Sequence, residues 1–347
     1  MGIIKTKASS ESAVLISGVS WTLLQVLVGQ GSNVLVRIVL AVLIAPEAFG
    51  VFTMAAVISG ILGTMTEYGL AAALIQMDSR KLRREHFNAA FWMSIFLSST
   101  TFVVLAGILA PIYAVSLEEP ALAIIIPVLM VAPYLHSLAI ISRVKLARQL
   151  KFKMISQITM TAQLISIAVA VVLAMNEFGL WSLVFQAITL YGLMAAFTFY
   201  QTRWLPSINL SMSAVREIYK FSGYDLFHRM FIYLSANLDK IMIAKLLGSG
   251  PLGIYAICYL LTDVIRQQLM SAVNKVMFTG FSRTKNDTEQ VKTYHLEIIQ
   301  ICTLIVTPFM LLIILFAEDS VRLLLGEQWS AATIPLQLLG IAAIIHS

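Results

Sequence analysis

The sequence predicts an all-α membrane protein: a polytopic helical bundle in two pseudo-symmetric lobes around a central cavity, with the second lobe incomplete. Three observations predict it. Of 347 residues, 59% are hydrophobic and only 12% charged, and the mean hydropathy is +0.86, far beyond the roughly 45 to 50% apolar content of soluble domains. The apolar residues gather into long runs, and one of these runs returns in recognisable form 203 residues later.

Residues 1–12 are polar and carry Lys5 and Lys7. The apolar run behind them is about thirty residues long, against ~7 to 15 in a cleaved signal peptide, so it reads as an uncleaved first span. Apolar segments follow one another at roughly 14–44, 50–75, 87–112, 121–147, 154–175, 180–200, 219–247, 253–280 and 296–317. Each reaches the ~20 residues a helix needs to cross a bilayer, which makes nine crossings. After Pro335 about twelve apolar residues remain, too few to span, so the expectation is a tenth helix cut short. The domain reading is a six-helix N-terminal lobe at 1–200, a cytoplasmic interfacial connection at 201–220, and a partial C-terminal lobe at 221–347.

Charge sets the orientation. With the N-terminus inside, seventeen lysines and arginines fall in inner connections, clustered at Arg80 to Arg84, Arg143 to Lys153, Arg203 to Lys220 and Arg283 to Lys292, and one, Arg322, falls outside. That asymmetry is the positive-inside pattern. The net charge of +6 therefore follows topology, and no solvated basic domain is present to hold nucleic acid. Cys258 and Cys302 both sit in apolar runs without metal or redox spacing. No catalytic constellation, metal cluster or phosphate-cradling glycine loop appears, so the chain reads as a non-enzyme with no cofactor and no metal.

The repeat pairs RIVLAVLIAPEAFGVF, Arg37 to Phe52, with KIMIAKLLGSGPLGIY, Lys240 to Tyr255. In each copy an apolar helix carries one cation, enters a short turn and resumes at a glycine, with Arg37 matched to Lys240 and Gly50 to Gly253. Such internal repeats are common in transporters.

The seventh segment holds the most chemistry. At 100° per residue Asp225, His228, Arg229, Tyr233, Asp239 and Lys240 share an arc of about 140°, and Gln30, Asn33 and Arg37 form a weaker stripe on the first helix. Charges at mid-bilayer cost roughly 2.5 to 3.5 kcal/mol each, so they should face partners or water. Asp225 with Arg229, and Asp263 with Arg266, fit either simple intramembrane pairs or the lining of a path. Arg37 and Lys240, each about 12 Å below an outer turn, fit either a path or snorkelling to headgroups. His136 beside Pro133 reads as a core histidine rather than a proton carrier, and Ala55, Ser59 and Gly63 as a helix-packing stripe.

A family resemblance rests on PEAFGVFTMA at Pro46 to Ala55, EYGLAAALIQ at Glu67 to Gln76, RVKLARQLKFK at Arg143 to Lys153 and NLDKIMIAKLLGSGPLGIY at Asn237 to Tyr255. Over nearly its whole length the chain resembles Wzx-type polysaccharide biosynthesis proteins, the lipid-linked oligosaccharide flippases of the multidrug/oligosaccharidyl-lipid/polysaccharide exporter (MOP) superfamily, and is similar to the colanic acid and teichuronic acid exporters. It departs from them in lacking a proline before Phe281-Ser282 and in having fewer than their twelve or more spans.

The resemblance implies transport of an undecaprenyl-pyrophosphate-linked oligosaccharide from inner to outer leaflet of the bacterial cytoplasmic membrane, by alternating access. Polysaccharide polymerase and glycosyltransferases are then implied partners, alongside membrane lipids. On that reading Arg37, Lys240 and Arg266 contact pyrophosphate or sugar together with Asn33 and Asn237. Asp225, Arg229, Asp239 and Asp263 form charge pairs or couple proton movement. The alternatives are a drug or organic-cation exporter, which calls for acidic rather than basic cavity groups, a membrane polysaccharide polymerase, which calls for a large outer loop, and a non-transporting scaffold.

Overall fold

The computed structural model describes residues 2–67, 69–78, 80, 82–208, 211–263 and 288–346, and among these there is helix and turn but no strand. The chain opens with α1 (Gly2–Leu43), α2 (Pro46–Glu67) and α3 (Gly69–Gln76). Next, α4 (Arg84–Val104) passes through a π-turn at Leu105–Leu109 into α5 (Ala110–Ser116). After these come α6 (Leu122–Arg148), α7 (Phe152–Met175), α8 (Leu180–Thr202), α9 (Met212–Ala236) and α10 (Leu238–Leu247). Residues 249–263 are the described part of α11. The chain continues with α12 (Thr288–Leu315), α13 (Ala317–Leu324), a 3-10 turn at Glu327–Ala332 and α14 (Thr333–Ile345).

The first six predicted crossings are matched by the apolar stretches Leu24–Leu43, Pro46–Gln76, Arg84–Ser116, Leu122–Arg148, Phe152–Met175 and Leu180–Thr202. A multi-pass membrane protein is the result. The predicted outer turns at Glu118 and Glu177 fall where the backbone takes φ of 57 and 62, and the turn after α10 is made by Gly248 at φ 85, a conformation open to glycine at no steric cost. Later in the chain the sequence reading needs correction. The segment 219–247 is two helices rather than one. The predicted crossing at 253–280 runs into residues outside the described ones. The stretch Cys302–Leu315 passes as a span only together with Ala317–Leu324, bent against it by 71°. The stub expected after Pro335 is longer than read, because the 3-10 turn extends its apolar stretch to Glu327–Ile345, 19 residues and long enough to cross.

Packing divides the chain into two compact units, residues 1–36 with 51–248 and residues 37–50 with 249–347. In the first, α8 packs on α6 and α7, and α9 packs on α3 and α4. One end of it is closed by aromatic and cationic side chains. Trp204 is buried against Phe91, with ring centroids 5.8 Å apart and edge to face, and Lys145 Nζ stands 4.4 Å above the indole. Arg148 ends α3 by donating from Nη1 to the carbonyls of Leu74, Ile75 and Met77 at 2.6, 3.1 and 3.0 Å. The first two are among the acceptors a helix C-terminus leaves unmatched, and Met77 follows directly after the helix. The stretch after α8 is fastened to α4: Trp92 Nε1 donates to the Ser207 carbonyl at 2.9 Å, and Asn88 bonds both the backbone N–H and the hydroxyl of Ser207.

In the second unit Trp329, fully buried, donates from Nε1 to the Ala41 carbonyl at 2.7 Å and meets Phe49 edge to face at 5.5 Å. The repeat becomes visible here as geometry. Its register equates Pro46 with Ser249 and Gly50 with Gly253. A Cβ placed on Gly50 would overlap the Ser249 carbonyl oxygen, and one on Gly253 would overlap the carbonyl oxygen of Pro46. The same two positions thus meet twice with their roles exchanged, as an isologous two-fold contact requires. Glu47, equivalent to Gly250, approaches that glycine: a Cβ there would lie 3.6 Å from Glu47 Oε1.

Candidate functional site

The break in the predicted seventh helix is built by one side chain. Asn237 Nδ2 donates to the Tyr233 carbonyl at 2.8 Å, which is the acceptor its own backbone N–H would use in a continuous α-helix. The displaced N–H turns to Leu234 instead, at 3.2 Å, so the chain tightens and α10 starts afresh at Leu238. Asparagine commonly competes with the helical ladder in this way. The amide's other end is also used: Lys240 Nζ donates to Asn237 Oδ1 at 2.8 Å. One turn back, Tyr233 Oη donates to the carbonyl of Val57 at 2.9 Å. Its ring lies against Gly60, where a Cβ would overlap the phenol oxygen. Interrupted helices with polar groups at the break mark binding sites in transporter folds.

The structure therefore brings together Tyr233 and Lys240 of the predicted stripe with Asn237, which the sequence reading places among the contact residues but outside the stripe. The stripe is not carried by one helix: α9 ends at Ala236, and Asp239 and Lys240 belong to α10, which begins at Leu238. Asp239 is half-buried in the first turn of α10, where the helix dipole favours a carboxylate. His228 is exposed and Arg229 half-buried on α9, while the side chain of Asp225 lies outside the described residues. Asp263 is half-buried on α11, and its expected partner Arg266 lies outside the described residues. Asn33 and Arg37 are half-buried on α1, with Arg37 packed in the second unit and Lys240 in the first. The helix-packing stripe holds: Ala55 and Ser59 are buried, and a Cβ at Gly63 would lie 3.8 Å from Pro133.

A second feature of the first unit was missed in the sequence. A cavity of about 700 Å³ is walled by α1, α3, α6, α7 and α8, and its polar lining includes Gln25, His136, Arg143, Ser156, Thr159 and Gln163. The His136 ring sits 4.9 Å from that of Tyr191 on the same wall. The signal was present, since His136 and Arg143 are seven residues apart, two helical turns on one face, and Ser156, Thr159 and Gln163 follow the same rule on α7. Arg143 instead read as a topology cation and His136 as core.

The comparisons with known proteins agree with this architecture. A solved inward-facing structure of a multidrug resistance transporter of the MATE family, in the MOP superfamily, superposes with a TM-score of 0.59 at 15% identity, covering 90% of this chain and 80% of that one. At that identity the likeness is one of fold. The lipopolysaccharide biosynthesis protein WzxC of Escherichia coli is 25% identical over 96% of this chain and 67% of its own. The teichuronic acid biosynthesis protein TuaB of Bacillus subtilis is 22% identical over 81% of this chain and 58% of its own. The succinoglycan biosynthesis transport protein ExoT of Rhizobium meliloti is 24% identical over 88% and 61%. The chain thus spans about 58 to 67% of the length of these relatives. The family model described as polysaccharide biosynthesis protein matches residues 39–334, and the chain belongs to that family.

Proposed function

We propose that this protein serves polysaccharide biosynthesis as a transporter, moving an undecaprenyl-pyrophosphate-linked oligosaccharide from the inner to the outer leaflet of the bacterial cytoplasmic membrane by alternating access. The observation that carries the reading is the interrupted helix at Asn237, which holds the Lys240 ammonium on a side-chain amide inside a membrane fold of the exporter class. A cation held at a helix break is suited to a pyrophosphate, and adjacent amide and hydroxyl groups are suited to sugars. In this reading Arg37, Asn33, Asn237, Lys240 and Arg266 contact the headgroup along the path. Asp225, Arg229, Asp239 and Asp263 hold these cations in place or couple proton movement to the cycle. Loss of the chain from its native cell is then expected to leave a lipid-linked oligosaccharide on the inner leaflet, with surface polysaccharide reduced. Lipid extraction and mass spectrometry after gene deletion test this, and an unchanged pool of lipid-linked sugars contradicts it.

A further inference from the structure

We infer that the connection between α8 and α9 is a membrane-interface anchor: Leu205, Ile208 and Met212 enter the boundary between headgroups and acyl chains of a phospholipid leaflet, and Arg203 and Arg216 reach its phosphates. The inference rests on the membrane fold and stands apart from the transport reading. α8 ends at Arg203, whose φ of 44 turns the chain and whose N–H closes the helix on the Phe199 carbonyl at 2.9 Å. From there to Ile208 the chain is not helical. Trp204 enters the core, while Leu205 beside it is 78% exposed and Ile208 is 82% exposed. Asn209 and Leu210 lie outside the described residues and are no part of the surface. Where α9 begins, Ala214 and Ile218 are buried, four places apart on one face. Met212, 79% exposed, and the exposed Arg216 are four apart on another.

The connection cannot turn these side chains inward, because its other face is committed to the first unit. Trp204 packs edge to face on Phe91, and Ser207 is held by Asn88 and Trp92 of α4. Farther on, Glu217 accepts from His86. The Arg83 N–H donates to His86 Nδ1 at 3.0 Å, so the ring proton is on Nε2, which donates to Glu217 Oε2 at 3.2 Å. Fastened from beneath, the segment holds three large apolar side chains outward within a short run. A surface that met only water would rarely group them so.

Depth identifies what covers them. α4 begins an apolar stretch of 33 residues, Arg84–Ser116, which is about 50 Å long at the helical rise. The hydrocarbon core is only ~30 Å thick, so about 10 Å at each end lies among headgroups. Asn88 and Trp92, which hold Ser207, are about 6 and 12 Å along from Arg84. Ser207 therefore sits where headgroups give way to acyl chains, and Leu205 and Ile208 flank it. Interfacial segments bury their apolar side chains ~5–10 Å into that boundary. Tyr200, exposed in the last turn of α8, adds an aromatic of the kind that gathers at this level. Arginine stems lie along apolar surroundings while the guanidinium meets phosphate.

The test uses Leu205→Cys, Ile208→Cys and Met212→Cys, each labelled with a bimane fluorophore, the native Cys258 and Cys302 being buried. The purified 347-residue chain is reconstituted in phosphatidylcholine vesicles whose acyl chains do or do not carry bromine. Val103→Cys, exposed on the spanning α4, is the lipid reference, and Asp78→Cys, exposed in the turn after α3, is the water reference. All these side chains are exposed, so the changes should leave the fold intact. Bromine is expected to quench the three labels by about half or more of the loss seen at Val103→Cys, and aqueous iodide should quench them less than Asp78→Cys. Arg203→Gln with Arg216→Gln should lower the bromine quenching at Ile208→Cys. Iodide quenching equal to that of Asp78→Cys, with no effect of bromine, overturns the anchor and leaves the face to a water-borne partner. Bromine quenching at only one of the three positions overturns a segment lying along the interface. Quenching that the arginine changes do not alter overturns the phosphate contacts.

Discussion

Asn237 decides the local path of the chain by a choice between two donors for one carbonyl. Its side-chain amide holds the Tyr233 oxygen, and the backbone yields. Replacing it with leucine returns that oxygen to the ladder and joins α9 to α10, so Asn237→Leu is expected to accumulate and melt at or above the temperature of the unaltered protein while polysaccharide export falls to background. Retained export would contradict the role given to the break. Lys240→Met should behave differently: it removes a hydrogen bond from a charged group to Asn237, a loss of roughly 1.5–3 kcal/mol, visible as a lower melting temperature as well as lost export. Tyr233→Phe costs only the bond to the α2 carbonyls, about 1 kcal/mol. Gly60→Ala, which drives a methyl into the phenol, should cost more than Tyr233→Phe in the same melting assay.

The sequence made the polar residues of this helix legible through their period, and it made the cost of burying them legible through hydropathy. It did not show the break, because an asparagine that bonds back four residues looks the same in a hydropathy profile as one that does not. Arg143 was hidden for another reason. Cations near an inner turn are the normal signature of topology, and only packing of α1, α3, α7 and α8 around α6 makes one of them the wall of a cavity.

At the scale of elements, the turn between α1 and α2 and the turn between α10 and α11 are related by the repeat, and the structure shows why each resumes at a glycine. Backbone oxygen occupies the space a Cβ would need at Gly50 and at Gly253, and a backbone atom cannot rotate aside as a side chain can. Gly50→Ala and Gly253→Ala are each expected to destabilise by about 1–3 kcal/mol or more and by similar amounts, measured as a shift in detergent melting. A tolerated alanine at either position would contradict the close contact. Arg148→Ala should lower the same melting temperature more modestly, through release of the α3 carbonyls it holds. The six apolar segments up to residue 200 were legible in order and extent. The later elements were less so, because the 71° bend between Cys302–Leu315 and Ala317–Leu324 and the 3-10 turn before α14 depend on tertiary contacts such as Trp329 on Ala41, to which a count of consecutive apolar residues is blind.

For the whole molecule, membership of the polysaccharide biosynthesis protein family and the fold shared with a MOP superfamily transporter give the frame, and the membrane-embedded cations give the proposed chemistry. A protein that carried an organic cation would be expected to place carboxylates at these points. Here Arg37 and Lys240 occupy equivalent positions of the repeat, and Asn237 holds the second of them. The most direct measurement is surface polysaccharide in the native cell with Arg37→Gln, Lys240→Gln and Arg266→Gln, singly and together, at matched abundance in the membrane. The account predicts a marked loss for the single changes at Arg37 and Lys240 and no export from the triple variant, with lipid-linked sugar accumulating behind it. Normal export from the triple variant would contradict a cationic path.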